Sequence, residues 1–329
     1  MTAPPPLPPA KAPQTPPALG FCFDRTFPPA LVTKFARELE AAGAQQLWVI
    51  EDCFYTAGVS LAAAALAVTS QLTAGLGILP AVARNPAITA MEIATLCGLA
   101  PGRVLPGIGH GVQEWMGQMG ARTPSPVTTL AEVITVVRRL LRGERVSMDG
   151  SHVHLDGVQL DRPPVPSPPV LAGVSGPKSL AMAGRTADGL VLAEGTGPAA
   201  VRAALRQAEA SDGFHVAVFA KLCVASEPAI AYQAMAPFLA GLLDHAPARL
   251  RALPFYDDLA TRYATRGADA LATIPADWWG QVGPIGTLDD ARAHLDALAS
   301  AGANSIALAP EPDAATALAQ LDAVGALLR

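Results

Sequence analysis

Short apolar runs alternate along the chain with longer segments that carry apolar residues at helical spacing. The first run lies at 19–23, and the segment after it, 28–42, places Leu31, Phe35 and Leu39 on one helix face. Further apolar runs lie at 46–50, 72–79, 103–109, 168–174, 189–193, 215–225 and 305–311. The segments between them predict helices at 59–69, 87–99, 127–141, 179–185, 198–210 and within 228–268, with one more at the C-terminus. Eight strands, each followed by helix, predict an α/β fold of the (β/α)8 barrel type, although a doubly wound open sheet would give the same alternation.

The composition excludes several classes of partner. Of the 329 residues, 51% are hydrophobic and 16% are charged, so the chain can bury a large core. Its net charge of −5 and its scattered basic residues provide no positive surface for a polyanion, so no nucleic-acid partner is predicted. The cysteines stand far apart, without a C-x-x-C pair or a histidine at zinc-ligand spacing. We therefore expect no metal site, and reduced thiols in a cytoplasmic protein.

The N-terminal segment 1–17 is proline-rich and lacks a basic stretch followed by an apolar one, so it is predicted to be a disordered tail and not a signal peptide. Residues 18–329 are predicted to form a single barrel domain, in which 143–167 is a hairpin-like insertion. The most apolar stretch, 58–70, is shorter than the roughly 20 residues that a membrane helix needs. No membrane association is predicted.

Three glycines at alternate positions, Gly107, Gly109 and Gly111, follow the fourth apolar run. A dinucleotide-binding loop would read G-x-G-x-x-G and open a helix directly. Here the spacing is G-x-G-x-G, and no helical pattern is predicted before about Val127. These glycines therefore do not predict a Rossmann-type phosphate loop.

Four stretches in chain order carry a family resemblance: LWVIEDCF, GLGILPAVARNP, GRVLPGIGHGVQEWMGQMGA and GVSGPKSLAMAGRTADGLVL. Together they resemble the luciferase-like monooxygenase superfamily, in the branch that uses the deazaflavin coenzyme F420 and includes methylenetetrahydromethanopterin reductase. The resemblance runs from Leu19 to the C-terminus. It implies a TIM barrel of the bacterial luciferase-like type with insertions.

The resemblance also implies where the cofactor binds. A non-proline cis peptide at Gly77–Ile78, followed by Leu79, would support the back of the ring, with an ordinary strand corner as the alternative. Gly107, Gly109 and Gly111 would let the backbone approach the ring and its side chain. Phosphate binding would fall to the loop that holds Gly173, Ser175, Gly176, Lys178 and Ser179, because backbone N–H groups at a helix N-terminus suit an anion. Arg84 is a further candidate for the anionic tail of the cofactor.

The catalytic candidates are Asp52, Glu51 and His110. The family carries Asp-His where this chain has Glu51-Asp52, so the imidazole is replaced by a carboxylate. In the alternative interpretation, the two carboxylates cap the next helix or pair with Arg25. His110 would lie at the cofactor edge, or would be a solvated or backbone-bonded loop residue.

The preferred function is hydride transfer between coenzyme F420 and a small organic substrate. One alternative is an FMN-dependent monooxygenase that receives reduced flavin from a partner reductase, and another is a barrel that binds flavin without turnover. A sugar phosphate is not expected, because Val112 stands where the glucose-6-phosphate dehydrogenase branch has an acid. The resemblance also implies a homodimer. We expect the pocket roof to come from 111–126, 143–167 and 244–284.

Overall fold

The computed structural model describes residues 16–328, so the predicted tail lies almost entirely outside the described residues. The strands are β1 (Ala18–Phe23), β2 (Gln46–Val49), β3 (Thr73–Pro80), β4 (Val104–Gly109), β5 (Val146–Asp149), β6 (His154–Val158), β7 (Leu171–Gly173), β8 (Gly189–Leu192), β9 (His215–Lys221), β10 (Cys223–Val224), β11 (Ile285–Gly286) and β12 (Ser305–Ala309). The helices are α1 (Val32–Ala41), α2 (Gly58–Ala67), α3 (Pro86–Leu99), α4 (Gln113–Gln118), α5 (Pro126–Leu141), α6 (Pro177–Thr186), α7 (Pro198–Ala208), α8 (Pro228–His245), α9 (Ala248–Arg251), α10 (Tyr256–Arg266), α11 (Ala276–Trp279), α12 (Leu288–Ala301) and α13 (Ala314–Leu328). None of the helices formed by residues 16–328 is long and apolar enough to cross a membrane.

Eight strands close into a parallel barrel in the order β1, β12, β9, β8, β7, β4, β3, β2. The closure joins the first strand to the last, with Ala18 aligned to Ser305 and Phe21 to Leu308. Helices cover the outer face of the barrel and side chains fill its interior, so the strands are buried on both faces. This is why they read as continuous apolar runs in the sequence. The predicted (β/α)8 barrel is confirmed.

Three helices, α4, α11 and α12, are not predicted by the sequence pattern, and α11 has only four residues. Helix α4 starts directly after the glycine loop, so the expectation that no helix begins before about Val127 is wrong; six residues are too few to display a helical period. Helix α12 begins with a capping box, in which Thr287 N donates to Asp290 Oδ2 at 2.8 Å and Asp290 N donates to Thr287 Oγ1 at 3.2 Å. This T-x-x-D pattern is a start signal that was present in the sequence.

The barrel interior is filled by two aromatic rings beside two glycines. Trp48 and Phe219 pack edge to face, with ring centroids 5.4 Å apart. A Cβ at Gly75 would lie 2.3 Å from the Trp48 ring, and one at Gly77 would lie 2.6 Å from Phe219 Cζ. Glycine at these positions is therefore what makes room for the two rings.

A chain of hydrogen bonds crosses the amino-terminal end of the barrel, where Gln46, Ser305 and His215 each begin a strand. Trp48 Nε1 donates to Gln46 Oε1 at 2.9 Å, and Gln46 Nε2 donates to Ser305 Oγ at 2.9 Å. His215 Nε2 lies 2.9 Å from the same hydroxyl. These hydrogen bonds satisfy the buried polar atoms at this end of the barrel.

Strands β5 and β6 form an antiparallel hairpin within 143–167. The Glu132 carboxylate of α5 accepts from the backbone N–H groups of Ser151, His152 and Val153 at 2.7 to 3.0 Å. The hairpin is thereby held against the outer side of α5.

The segment between β9 and β12 contains a helical insertion with a hydrophobic core of its own. Helices α8 to α11 surround this core, in which Tyr232 stacks on Trp279 at 5.2 Å between ring centroids. The chain enters the insertion through β10 and leaves it through β11, and these two strands pair with each other. The insertion therefore starts and ends at one place beside the barrel.

Candidate active site

A cavity of about 430 Å³ opens at the carboxyl ends of the barrel strands, the end that carries the active site in such barrels. Its lining consists of Asp24, Arg25, Ile50, Asp52, Gly77, Ile78, Gly173, Val174, Ser175, Val191, Ala193, Glu194 and Phe219. We call it the mouth cavity. An apolar floor is thus combined with charged side chains around the rim.

The segments that were expected to roof the pocket contribute none of these lining residues. The hairpin of 143–167 lies against α5, and the 244–284 part of the insertion packs on its own core. The 111–126 loop instead lines a separate space of about 10 Å³, next to His110. The expectation for the roof is therefore wrong, because these segments pack next to His110, against α5 and on the core of the insertion.

Arg25 and Asp52 form an ion pair on the β1–β2 side of the mouth cavity. Each residue follows its strand closely, and Arg25 Nη1 donates to Asp52 Oδ2 at 2.6 Å. The rings of Tyr55 and Trp115 lie 4.9 and 5.8 Å from Arg25 Cζ, within cation–π range. Burial acts against the charge, but the hydrogen bond that Arg25 donates to Asp52 raises the pKa of Arg25. Asp52 therefore faces the cavity as the partner of a fixed guanidinium.

Glu51 points away from the cavity. Its Oε2 accepts from Gly58 N at 3.0 Å, at the start of α2. Its Oε1 lies 2.8 Å from Arg84 Nη1, and Arg84 Nε lies 3.3 Å from Glu92 Oε2. The contact of Glu51 with the start of α2 and the pairing of Asp52 with Arg25 correspond to the alternative interpretation, whereas the pairing of Glu51 with Arg84 is not part of it. Arg84 is occupied by two carboxylates.

Ile78 fills a pit that three glycines leave open. A Cβ at Gly173 would lie 2.4 Å from Ile78 Cγ2, and Cβ atoms at Gly107 and Gly109 would lie within 3.3 Å of the same side chain. The space beside Gly107 and Gly109 is therefore taken by Ile78 and not left for a cofactor. The peptide between Gly77 and Ile78 is cis, as the resemblance implies.

Two further predicted residues lie outside the lining. Leu79 is buried, and its Cδ2 lies 3.6 Å from the Cβ position of Gly58. Gly111 has a φ of +67° and turns the chain toward α4, with Pro80 and Met116 close to its Cβ position. Both residues support the backbone around the cavity.

His110 contacts the first turn of α6 instead of the mouth cavity. Its Nε2 lies 3.1 Å from Ser179 Oγ, and Ser179 is buried. Burial lowers the pKa of His110, so a neutral ring is favoured at this position. The pair links the glycine loop after β4 to the helix after β7.

The N-terminus of α6 opens beside the cavity. Gly176 is the N-cap residue without a side-chain cap, and Pro177 takes the first helical position. Ser175 lines the cavity, and Ser175 and Lys178 are exposed. Free backbone N–H groups and the positive end of the helix dipole make this a place where an anion is stabilised.

Glu194 is a lining residue that the sequence reasoning missed. It follows β8, which lies four strands from β2 in either direction around the barrel. It therefore faces Asp52 across the mouth. No motif marks it in the sequence; only its place one residue beyond an apolar run, at the mouth end of a predicted strand, could have suggested it.

The chain matches a family model over most of its length. Residues 8–305 match the model described as luciferase-like monooxygenase. This chain belongs to that family. Within residues 16–328, no cluster of His, Cys, Asp and Glu side chains is arranged to hold a metal ion.

Individual relatives refine this placement. The 5,10-methylenetetrahydromethanopterin reductase of Methanolobus tindarius is 32% identical over 174 residues, 53% of each chain. The F420-dependent glucose-6-phosphate dehydrogenase of Beutenbergia cavernae is 37% identical over 139 residues, 41% of each chain. The chain thus spans about half the length of these relatives, or less. The coenzyme F420-dependent tetrahydromethanopterin reductase of Methanopyrus kandleri has the same fold, with a TM-score of 0.76 at 20% identity over 94% of this chain and 98% of that one.

Proposed function

We propose that this protein is a coenzyme F420-dependent oxidoreductase that transfers a hydride between the deazaflavin and a small organic substrate. The observation that carries the proposal is the position of an apolar-floored cavity directly beside the open N-terminus of α6. A planar ring and an anionic tail need these two features next to each other. The F420-dependent relatives support the choice of cofactor.

The residues present fit such a cofactor. Gly77, Ile78 and Val174 would contact the ring, since they bring backbone and apolar surface to the cavity. The phosphate of the tail would bind at the start of α6, with Ser175 and Lys178 as additional donors. A Cβ at Gly176 would meet no atom within 4 Å, so the approach to this helix end is open.

When bound, the coenzyme would supply the hydride carrier, and the side chains would supply position and proton handling. Phe219 and Val191 would exclude water from the floor. Asp52, which alone of the three catalytic candidates lines the cavity, would hold the proton that a substrate gains or loses. Glu51 and His110 would affect the site only indirectly, because Glu51 holds the start of α2 and His110 contacts the first turn of α6.

The proposal is tested by fluorescence titration with coenzyme F420 and, in parallel, with FMN. Gly77→Val would force a side chain against Phe219 and should abolish ring binding. Lys178→Ala should weaken F420 binding about fivefold, as expected for one exposed charge contact of about 1 kcal/mol. Lys34→Ala, an exposed lysine on α1, is the matched control and should bind like the wild type.

Other outcomes point to the other functions. Tighter binding of FMN, together with oxygen consumption when a reductase supplies reduced FMN, would favour the monooxygenase. Tight cofactor binding without oxidation of any substrate in a broad screen would favour the non-catalytic barrel. Binding of neither cofactor would contradict the proposal.

We also propose a homodimer that forms through α3. Ile88, Met91 and Leu99 lie on one face of this helix and are 43%, 49% and 66% exposed. Met91→Glu should therefore lower the mass measured by sedimentation from that of a dimer to that of a monomer. The free thiols of the cysteines fit a reducing, cytoplasmic environment.

A further inference from the structure

We propose that Glu194 is a specificity-determining residue that selects a positively charged, iminium-type substrate (C=N⁺) over neutral and anionic ones. The proposal rests on the proposed hydride transfer and names the substrate class that the mouth cavity fits. It is carried by the charges of the lining and by the position of Glu194.

The lining of the mouth cavity holds more negative than positive groups. Three carboxylates, those of Asp24, Asp52 and Glu194, face one guanidinium, that of Arg25. Arg25 is already paired with Asp52 at 2.6 Å, and Asp24 also raises its pKa. The one cation of the lining is thus neutralised by its neighbours, which leaves no free positive group for an anionic substrate.

Glu194 has no partner of opposite charge in the described chain. Within residues 16–328, no Lys, Arg or His nitrogen lies within 4.0 Å of its carboxylate. Lys221, at the end of the neighbouring strand β9, lies 3.6 Å from Glu311 Oε1. Asp24, in contrast, accepts from Thr26 N and Thr26 Oγ1 at 2.8 and 2.6 Å. Glu194 is therefore the carboxylate of the lining that is most available to a ligand.

The helical insertion fixes the backbone of Glu194. Arg249 Nε donates to the Glu194 carbonyl oxygen at 2.9 Å, so this guanidinium binds the main chain and not the carboxylate. Burial lowers the pKa of Arg249, and the charge of Glu194 acts against that shift. Gly195, with φ +77°, turns the chain directly afterwards, next to Leu242 of α8. The position of the side chain at the rim is thereby set by the fold.

The thiol of Cys22, in the barrel interior, is also affected by the negative charges of the lining. Cys22 is fully buried in the barrel interior. Burial raises the pKa of its thiol well above the ordinary value, and Glu194, Asp24 and Asp52 raise it further. The three carboxylates thus act together on the axis of the barrel, where a substrate would lie.

An iminium ion suits this charge pattern and the proposed chemistry. Its carbon would accept a hydride from the reduced coenzyme, the C=N π electron pair would move to nitrogen, and a neutral amine and the oxidised coenzyme would result. This reduction consumes the positive charge and needs no proton donor. With such a substrate Asp52 would not need to give up a proton and would act only as the partner of Arg25.

The test compares two bicyclic hydride acceptors of similar size, the cation N-methyl-3,4-dihydroisoquinolinium and the neutral ketone 1-tetralone. Their binding is measured by calorimetry on the wild type, Glu194→Gln and Glu227→Gln, with and without F420. Glu227 is exposed at the start of α8 and is the matched control. We expect the wild type and the control to prefer the cation roughly tenfold, as one partly screened charge contact allows. Glu194→Gln should bind both compounds equally and keep the wild-type affinity for F420.

Equal binding of both compounds by the wild type, or a preference for the cation that survives in Glu194→Gln, would overturn the proposal. A parallel loss of F420 affinity in that variant would also overturn it, since Glu194 would then contact the cofactor. Failure of F420 to bind the wild type, with the cation preference still lost in the variant, would remove the proposed function but retain the selectivity of Glu194.

Discussion

The two ends of the barrel handle polar side chains in opposite ways. At the amino-terminal end, Gln46, Ser305 and His215 bond to one another and to Trp48 inside the structure. At the mouth, polar groups such as Glu194 and Lys178 lie at a cavity or at the surface without such partners. The first end stabilises the fold, whereas the second end, beside paired groups such as Arg25 and Asp52, keeps Glu194 and Lys178 free for ligands. Substitutions at the two ends of the barrel test this division.

Glu51 directly precedes Asp52, which lines the mouth cavity, but the side chain of Glu51 is buried. Glu51→Ala should therefore have the largest effect on stability. The change leaves Arg84 half-buried beside Glu92 and removes the acceptor of Gly58 N. We expect a loss of about 3 kcal/mol in the free energy of unfolding, measured by urea denaturation. Exposed Glu114→Ala is the control. An unchanged midpoint would show that Glu92 alone can compensate Arg84.

Gln46→Leu should destabilise the amino-terminal end by about 2 kcal/mol, because it leaves the buried indole N–H of Trp48 without an acceptor. The same urea titration measures it, and exposed Gln118→Leu is the matched control. If the loss were no larger than in the control, the hydrogen-bond chain would not be the stabilising feature of this end.

His215 should make this end sensitive to acid. Burial lowers its pKa to about 4 in the folded protein, whereas the unfolded chain has a pKa near 6.5. The unfolded state therefore binds more protons between these values, and stability that is complete above pH 6.5 is lost as the pH falls toward 4. His215→Asn should reduce the slope of the unfolding free energy in this window by up to about 1.4 kcal/mol per pH unit. Exposed His245→Asn, measured over the same pH series, should keep the wild-type slope; a slope equally unchanged in His215→Asn would contradict the assignment.

Asp52→Asn should have the smallest effect on stability. The side chains of Arg25 and Asp52 are 39% and 26% exposed, so water screens the pair that the change breaks. We expect a change below about 1 kcal/mol in the unfolding free energy. A loss as large as that expected for Glu51→Ala would remove the distinction between the two neighbouring carboxylates.

The barrel could be predicted from the sequence because its strands are buried on both faces and appear as uninterrupted apolar runs. The candidate site could be predicted only in part. Asp52 and Ser175 follow strands that the apolar pattern predicts, so their position at the mouth of the barrel could be predicted as well. The pairing of Glu51 with Arg84 joins residues about 30 positions apart, and the glycine pit joins Ile78 to Gly107, Gly109 and the still more distant Gly173 through tertiary packing. Local sequence carries no signal for such contacts.

The helical insertion has a consequence for how such proteins diversify. Its entry strand and exit strand lie side by side, with Cys223 aligned to Ile285, and its core is separate from that of the barrel. A segment whose ends are already adjacent can change in length at little cost in loop-closure entropy. The insertion is therefore an exchangeable module, and a different one grafted between β10 and β11 could alter the surroundings of Glu194 while the eight-stranded frame stayed the same.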